Sequence, residues 1–241
     1  MRLRNVLVVT LTLVTGATDA IGFTRLGGVF TSVMTGNMVL LGVAVGRRTA
    51  SLGVHTGVAF LGYVAGSLAG ARVAGHVGTD SEVWPRSLTL ALAFEWLLFA
   101  GTAVAWELAG ARPQGDLALS LLGCNAIALG VQSSAVLRFG VSGLSTTYLT
   151  GTLTTVVAGL THRTRMRGSG RSVAILVGLV VGAAVGAVLA VNTPVAAPAA
   201  QLAPLGLVVV VASVVYPRAA ASRAQWEKEP ADEVTPKIAA G

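Results

Sequence analysis

The chain has 241 residues, of which 54% are hydrophobic and 11% charged, and its formal net charge at pH 7 is +7. A soluble globular domain typically carries about 25% charged residues, so a water-soluble fold is excluded. Aromatic residues are few, and the basic residues lie at the ends of apolar segments, which argues against a nucleic-acid partner. We expect the lipid bilayer to be the main partner.

Eight apolar segments follow one another along the chain, separated by charged or proline-rich breaks. A transmembrane helix needs about 20 mostly apolar residues, because each residue rises about 1.5 Å and the hydrocarbon core is about 30 Å thick. Runs such as 205–215 lack the alternation of barrel strands, so we predict an all-α, polytopic transmembrane helix bundle. The predicted segments are 3–23, 29–46, 52–74, 88–109, 117–137, 143–161, 172–191 and 201–217.

The distribution of charge predicts the orientation of these segments. An excess of Lys and Arg marks cytoplasmic loops, and Arg2 and Arg4 precede the first segment. We expect a multi-pass protein of a bacterial cytoplasmic membrane with both termini in the cytoplasm. The composition becomes polar after residue 217, which predicts a single transmembrane domain over 1–217 and a disordered cytoplasmic tail over 218–241.

An internal repeat relates the two halves of the chain, about 3–109 and 117–217. Residues 28–37 align without gaps on 143–152, an offset of 115. In this alignment Thr31, Thr35 and Gly36 fall on Thr146, Thr150 and Gly151, and at the same offset residues 18–21 fall on 133–136. The repeat predicts two bundles of similar design.

Glycine stripes at matching positions support the repeat. The third segment of each half carries glycine at every fourth residue, a spacing that lets helix backbones approach closely inside a membrane. The two stripes are Gly62, Gly66 and Gly70 in the first half, and Gly178, Gly182 and Gly186 in the second.

Two topologies are compatible with this repeat. If segments two and six cross the membrane, eight crossings form two tandem four-segment repeats; if both are re-entrant, six crossings form inverted repeats. Both versions place 13 Lys and Arg inside and 4 outside. Because Arg47-Arg48 and His162-Arg163 are equivalent and a parallel repeat puts both inside, we predict eight crossings, with segment two helical from about Gly28. Six crossings remain the alternative.

Ionisable and amide side chains within apolar segments are candidates for function, because a charge near the bilayer centre costs about 2.5–3.5 kcal/mol. Asp19 shares a helical face with Thr12 and Thr15 and is the candidate proton or cation site. Gln132 belongs to the corresponding stripe of the second half, and Glu95 is a secondary candidate. The structural alternative is hydrogen bonding between helices, or an ion pair of Asp19 with Arg25.

Short, Gly-interrupted segments in corresponding positions of two halves are typical of transporter binding sites. We therefore predict that Thr35, Gly36 and Asn37 meet Thr150, Gly151 and Thr152 between the halves, together with Asp19 and Gln132. Tyr148 is a further secondary candidate. The alternative is that these hydroxyls bond back to their own helices.

Enzyme templates do not fit this sequence. It has no His-rich metal motif, no Gly-rich phosphate loop with Lys and no Gly-x-Ser-x-Gly turn. We expect neither catalytic activity nor a cofactor or metal.

Several of these motifs together resemble one family. Gly16-Ala-Thr-Asp-Ala20, Met34-Thr-Gly-Asn37, Gly130-Val-Gln132 and Thr146-Thr-Tyr-Leu-Thr-Gly-Thr-Leu153 are similar to the YoaK-like bacterial membrane proteins, a domain of unknown function. The resemblance covers the chain to about residue 217 and implies transport of a small metabolite, without naming the substrate. It departs from the family pattern at Ser133, where Asn is frequent.

Two functions are compatible with these features. The first is a secondary transporter of a small molecule with a polar site between the repeats. The second is a membrane scaffold or regulatory protein whose polar residues only join helices. A water-sized polar cavity reached from one side favours the first, whereas a closed and packed interior favours the second. Self-association into a homo-oligomer is left open by the sequence.

Overall fold

The computed structural model describes residues 2–73, 84–137, 146–161 and 169–226, and these residues form α-helices joined by loops and one short 3-10 turn. The expected all-α bundle is confirmed. The helices are α1 (Arg2–Arg25), α2 (Met34–Gly46), α3 (Ala50–Val73), α4 (Arg86–Leu108), α5 (Gly115–Leu137), α6 (Thr146–Thr161), α7 (Ser169–Asn192) and α8 (Ala199–Trp226), with the 3-10 turn at Pro194–Ala196.

Six of the described helices are long and apolar enough to cross a membrane, namely α1, α3, α4, α5, α7 and α8. The other two, α2 and α6, are shorter apolar helices. Helix α2 has 13 residues, which gives about 20 Å at about 1.5 Å per residue, less than the bilayer core of about 30 Å. Helix α8 continues past Pro217 to Trp226, into the segment expected to be a disordered tail.

The core of the described bundle lies between α1, α4, α5 and α8. Phe99 of α4, Leu122 and Leu129 of α5 and Leu205 of α8 are completely buried there. The outward surfaces of the bundle are also apolar, with Leu61, Leu97, Val180 and Val210 more than half exposed. An apolar exterior around a buried polar interior fits a protein whose solvent is lipid.

Two helix pairs run parallel and touch along the predicted glycine stripes. In each pair the contacts follow the same order on both helices. Between α3 and α5, Gly62 meets Gly123, Gly66 meets Ile127 and Gly70 meets Val131. Between α7 and α1, Gly178 meets Val9, Gly182 meets Leu13 and Gly186 meets Ala17. A Cβ atom would lie 2.9 Å from the Gly123 carbonyl oxygen if added at Gly62, and 2.6 Å from the Ala17 oxygen if added at Gly186. Only glycine permits this approach, as the stripes predicted.

Other helix pairs run antiparallel, because their contacts follow opposite orders. Between α4 and α8, the pairs are Trp84 with Tyr216, Trp96 with Leu202 and Trp106 with Pro194. Between α1 and α5, Thr15 meets Gln132, whereas Gly22 lies beside Leu122. Helix α5 is parallel to α3, so α3 is also antiparallel to α1.

These directions decide between the two topologies. Helices α1, α4 and α7 run one way and α3, α5 and α8 run the other, so α1 ends at the same side of the bundle where α3 begins. Helix α2 therefore returns to the side where it started. The eight-crossing version requires α1 and α3 to be parallel, and the structure agrees instead with the alternative of six crossings and two segments that do not cross.

The start of α2 accounts for this difference. The sequence analysis placed its start near Gly28, but the helix begins at Met34. Side chains of Asp19 and Asn37 bind the backbone of residues 30–32 in a non-helical conformation. The segment is thereby shortened below the length of a crossing.

The six-crossing topology makes a prediction about chemical labelling from one side of the membrane. Arg47 and Arg86 are both exposed, and they lie at opposite ends of the bundle. In a Cys124→Ser background, the Arg86→Cys variant should react with an impermeant thiol reagent added on the side of the C-terminus. The Arg47→Cys variant should react with the reagent added on the other side. A protease-cleavable tag at the C-terminus shows, by its accessibility to added protease, on which side of the membrane the C-terminus lies. The eight-crossing version requires the reverse for both positions.

The glycine contacts make a prediction about stability. Gly66→Ala places a Cβ against the backbone carbonyl of Ile127, so we expect a loss of about 1–3 kcal/mol in the free energy of unfolding. Gly57→Ala on the same helix has open space around the new Cβ and should leave stability unchanged or slightly raised. Thermal unfolding in detergent measures both. Equal midpoints for the two variants would contradict the α3–α5 contact.

Candidate functional site

The loop between α1 and α2 is held by the carboxylate of Asp19. Its Oδ1 accepts hydrogen bonds from the backbone N–H of Thr31 (2.7 Å) and of Ser32 (2.8 Å), and from the Thr31 hydroxyl (2.8 Å). Its Oδ2 accepts from the Ser32 hydroxyl (2.6 Å). Asp19 faces the interior with polar partners, and these four bonds satisfy a charge that is otherwise costly at this depth.

Asn37 holds the same loop from the other side. Its Oδ1 accepts from the Phe30 N–H at 3.0 Å and its Nδ2 donates to the Phe30 carbonyl at 2.6 Å. Asn37 is completely buried. Asp19 and Asn37 thus have a structural role as the two side chains that fix residues 30–32, and the predicted proton or cation role of Asp19 stays a prediction.

Arg25 does not form the ion pair with Asp19 that was considered from the sequence. Its Nε donates to the carbonyl oxygen of Ala190 at 2.8 Å. Ala190 lies in the last turn of α7, where carbonyl groups have no partner within the helix. The guanidinium therefore joins the ends of the parallel helices α1 and α7.

The two Thr-Gly motifs are not brought together. Helix α2 packs on α3 and α6 packs on α7, and the glycine contacts place α3 and α7 on opposite sides of the α1–α5 pair. Thr35, Thr150 and Gly151 are exposed, and Gly36 and Thr152 are half-buried. The side chain of Tyr148 lies outside the described residues. The predicted site that joins both motifs is therefore not assembled in this structure.

Gln132 and Glu95 lie deep in the bundle. The Gln132 Nε2 donates to the Thr15 hydroxyl at 2.8 Å and joins α5 to α1. Glu95 on α4 has no exposed surface. The Gln132 Oε1 and both carboxyl oxygens of Glu95 have no hydrogen-bond partner among the described residues.

A small polar cavity lies where α1, α4, α5 and α8 meet. Its volume is about 10 Å³, which is about the space that one water molecule needs. The polar side chains that line it are Thr102, Asn125 and Gln201, and the apolar walls include Ile21 and Trp106. The sequence analysis separated a transporter from a scaffold by a polar cavity reached from one side, and this cavity meets the part of that criterion that concerns size.

Hydrogen bonds between helices hold the lining residues in place. The Thr102 hydroxyl lies 3.3 Å from the Asn125 Oδ1, and the Thr18 hydroxyl lies 2.9 Å from the Gln201 Oε1. Gln201 was missed from the sequence. It is the single amide in the apolar stretch 199–216, and this isolation is the signal that could have identified it.

The fold and the polar interior define a multi-pass helical membrane protein. Comparison with known proteins then gives the family: the chain belongs to the family described as "Protein of unknown function (DUF1275)", whose model matches residues 7–214. Among curated proteins, it is 34% identical over 161 residues to the UPF0700 transmembrane protein YoaK of Bacillus subtilis (strain 168), a match that covers 66% of this chain and 68% of that protein. The suggested YoaK-like resemblance is thus confirmed. No solved structure matches the chain.

The hydrogen bonds of Asp19 predict its contribution to stability. Asp19→Ala leaves two backbone N–H groups and two hydroxyls without their acceptor, so we expect a loss of about 3 kcal/mol, since each unpaired buried donor costs about 1–3 kcal/mol. Asp19→Asn keeps one acceptor oxygen and should lose less. Asp116→Ala, at an exposed carboxylate in the first turn of α5, is the matched control, with an expected effect of at most about 0.5–1 kcal/mol. Thermal unfolding in detergent measures all three, and a similar midpoint for Asp19→Ala and the control would exclude the role of Asp19 in the loop.

Proposed function

We propose that this protein is a secondary transporter of a small polar metabolite, with its binding site at the junction of α1, α4, α5 and α8. The observation that carries the proposal is the water-sized cavity lined by Thr102, Asn125 and Gln201. Small-molecule sites combine apolar walls with a few convergent polar groups, and this cavity has both. In this proposal the described structure, whose cavity has room for one water molecule, is the closed state of a cycle in which the junction opens to admit substrate.

The pattern of helix contacts, which matches that expected of an inverted repeat, supports the proposal. Three helix contacts each have a counterpart elsewhere in the bundle. The contact α3–α5 corresponds to α7–α1, α2–α3 corresponds to α6–α7, and α4–α5 corresponds to α8–α1. The equivalent helices α1 and α5 are antiparallel, as are α4 and α8. Secondary transporters are often built from inverted repeats with the substrate site at the repeat interface.

The surroundings of two glycines refine the alignment of the halves. A Cβ on Gly16 would lie against the Leu179 oxygen and the Ala183 nitrogen, and a Cβ on Gly130 would lie against the Tyr63 oxygen and the Ser67 nitrogen. Matching these contacts aligns Gly16 with Gly130, an offset of 114 rather than 115 in this helix. Asp19 then corresponds to Ser133, not to Ser134.

The charges at the two ends of the bundle support an orientation. Arg2, Arg4, Arg72 and Arg86 lie at the end where α1 begins, whereas Arg25, Arg47, Arg48 and Arg112 lie at the other end. Position 171 adds a further arginine to the first end. Cytoplasmic loops carry the excess of Lys and Arg, so we place the first end, with both termini, in the cytoplasm of a bacterial cell.

A metabolite panel tests the transport proposal. Purified protein is screened by thermal shift against amino acids, sugars, nucleosides and small organic acids, and compounds that stabilise it are then tested for uptake into proteoliposomes. A bound compound at about 100 times its Kd stabilises the folded state by about 2.7 kcal/mol. We expect at least one compound class to give both a shift and saturable uptake.

Two matched variants connect that result with the cavity. Asn125→Leu removes a polar group of the cavity and should abolish the shift, whereas Asn192→Leu removes an exposed asparagine that bonds only to its own helix at the Val188 carbonyl and should retain it. Equal responses of both variants would place the binding site elsewhere. Wild-type protein that is folded but neither binds nor transports any class would favour the scaffold function.

A further inference from the structure

Glu95 occupies an unusual environment. It lies in the middle of α4, none of its surface is exposed, and both of its carboxyl oxygens lack a hydrogen-bond partner among the described residues. An ionised carboxylate without a counter-ion or a hydrogen-bond donor is strongly unfavourable at membrane depth. A protonated carboxyl avoids this cost, so the closed structure is compatible with Glu95 only as a neutral acid.

The helix register places Gln132 at the level of Glu95. Thr102 of α4 and Asn125 of α5 are joined at 3.3 Å, and the two helices are linked by the short connection 109–114, so they are antiparallel. Seven residues before Thr102 is Glu95, and seven residues after Asn125 is Gln132. Seven residues are about two turns, so both side chains lie on the contacting faces at the same depth.

The side-chain oxygen of Gln132 is a hydrogen-bond acceptor at the same depth in the bundle as Glu95. Its Nε2 is already committed to Thr15, which fixes the amide, while its Oε1 is buried without a partner. A carboxyl O–H needs one acceptor of this kind. Glu95 from the first half of the chain therefore offers a carboxyl O–H donor, and Gln132 from the second half offers the Oε1 acceptor. Neither group has a partner among the described residues of the closed structure.

Among the described residues, no charged or titratable group pairs with Glu95 as a counter-ion. At the same level, Arg72 of α3 is exposed, and Asp19, one turn from Thr15 on α1, is held by the α1–α2 loop. The remaining such groups on α4 and on the described helices around it lie further along the helix axes: Arg2, Arg4 and Arg25 on α1, His55 and Tyr63 on α3, Arg86 and Glu107 on α4, Asp116 and Cys124 on α5, and Tyr216, Arg218 and Arg223 on α8.

We propose that Glu95 and Gln132 form an intramembrane proton-binding site, in which the Glu95 carboxyl takes up a proton and donates it in a hydrogen bond to the Gln132 Oε1. The site rests on the proposed transport function, because it supplies the coupling ion for the same four-helix junction. When the junction opens to water, the protonated carboxyl of Glu95 releases its proton to water, and the carboxylate that remains is hydrated. When the junction closes, only the protonated acid fits.

Infrared spectroscopy of the complete chain in lipid nanodiscs tests this site without any knowledge of the substrate. At neutral pH, where exposed carboxyls are ionised, wild-type protein should show the C=O stretching band of a protonated carboxyl that shifts in D2O. The band should be lost in Glu95→Gln and retained in Glu107→Gln, which changes an exposed glutamate of the same helix. Gln132→Leu, which removes the acceptor, should move the band to higher frequency.

A pH titration separates an exchangeable proton from a permanently fixed one. The band should disappear at alkaline pH and return on acidification while the helical circular dichroism stays constant. Loss of the band only together with the helical signal would make Glu95 a structural acid and overturn the proposal, as would a band that is absent in wild type or unchanged in Glu95→Gln. Thermal stabilisation by Na+ that requires Glu95, without any protonated band, would assign the site to a metal cation instead.

The outcome is independent of the metabolite screen. A transporter that binds its substrate at the cavity but lacks the carboxyl band retains the proposed function and loses the proton site. A reversible band in a protein that transports nothing retains the site and removes its coupling role.

Discussion

The bundle depends on two contacts in which the backbones of parallel helices touch through glycine. Inside lipid there is no hydrophobic force that drives helices together, so close van der Waals packing selects the partners. The stripes at Gly62–Gly70 and Gly178–Gly186 bring α3 onto α5 and α7 onto α1. Since each contact joins a helix of the first half to a helix of the second, the halves are interleaved. These two pairs make α3 parallel to α5 and α7 parallel to α1.

The buried polar groups divide into two kinds. Around the α1–α2 loop every acceptor oxygen of Asp19 and the amide of Asn37 are used, which is what a rigid structural element in lipid requires. At the level of Glu95 and Gln132, by contrast, three oxygens stay unused. A buried group without a partner stores a cost that a second state can relieve. From this difference we infer that the α1–α2 loop is rigid and that the surroundings of Glu95 and Gln132 change between two states.

The sequence predicted the class of fold and the glycine contacts well, because apolar length and four-residue spacing are local properties of the chain. It failed at the start of α2, because the hydrogen bonds that unwind residues 30–32 come from Asp19 and Asn37, and no local pattern reveals whether a buried carboxylate binds a loop or a ligand. The Arg47-Arg48 pair was then assigned to the wrong side of the bundle relative to the N-terminus. The sequence also did not reveal that α2 packs on α3 and α6 on α7, because the position of the two Thr-Gly motifs is a tertiary property.

The parallel pairing of α1 with α7 also bears on how the chain is made. Roughly 140 residues separate the end of α1 from the start of α7, and a ribosome adds residues at about 5–20 per second. For on the order of 10 seconds the first helix is therefore made while α7 and its glycine stripe are not, whereas the interval between α3 and α5 is much shorter. The order of synthesis thus makes the partners of the α3–α5 contact available before those of the α1–α7 contact.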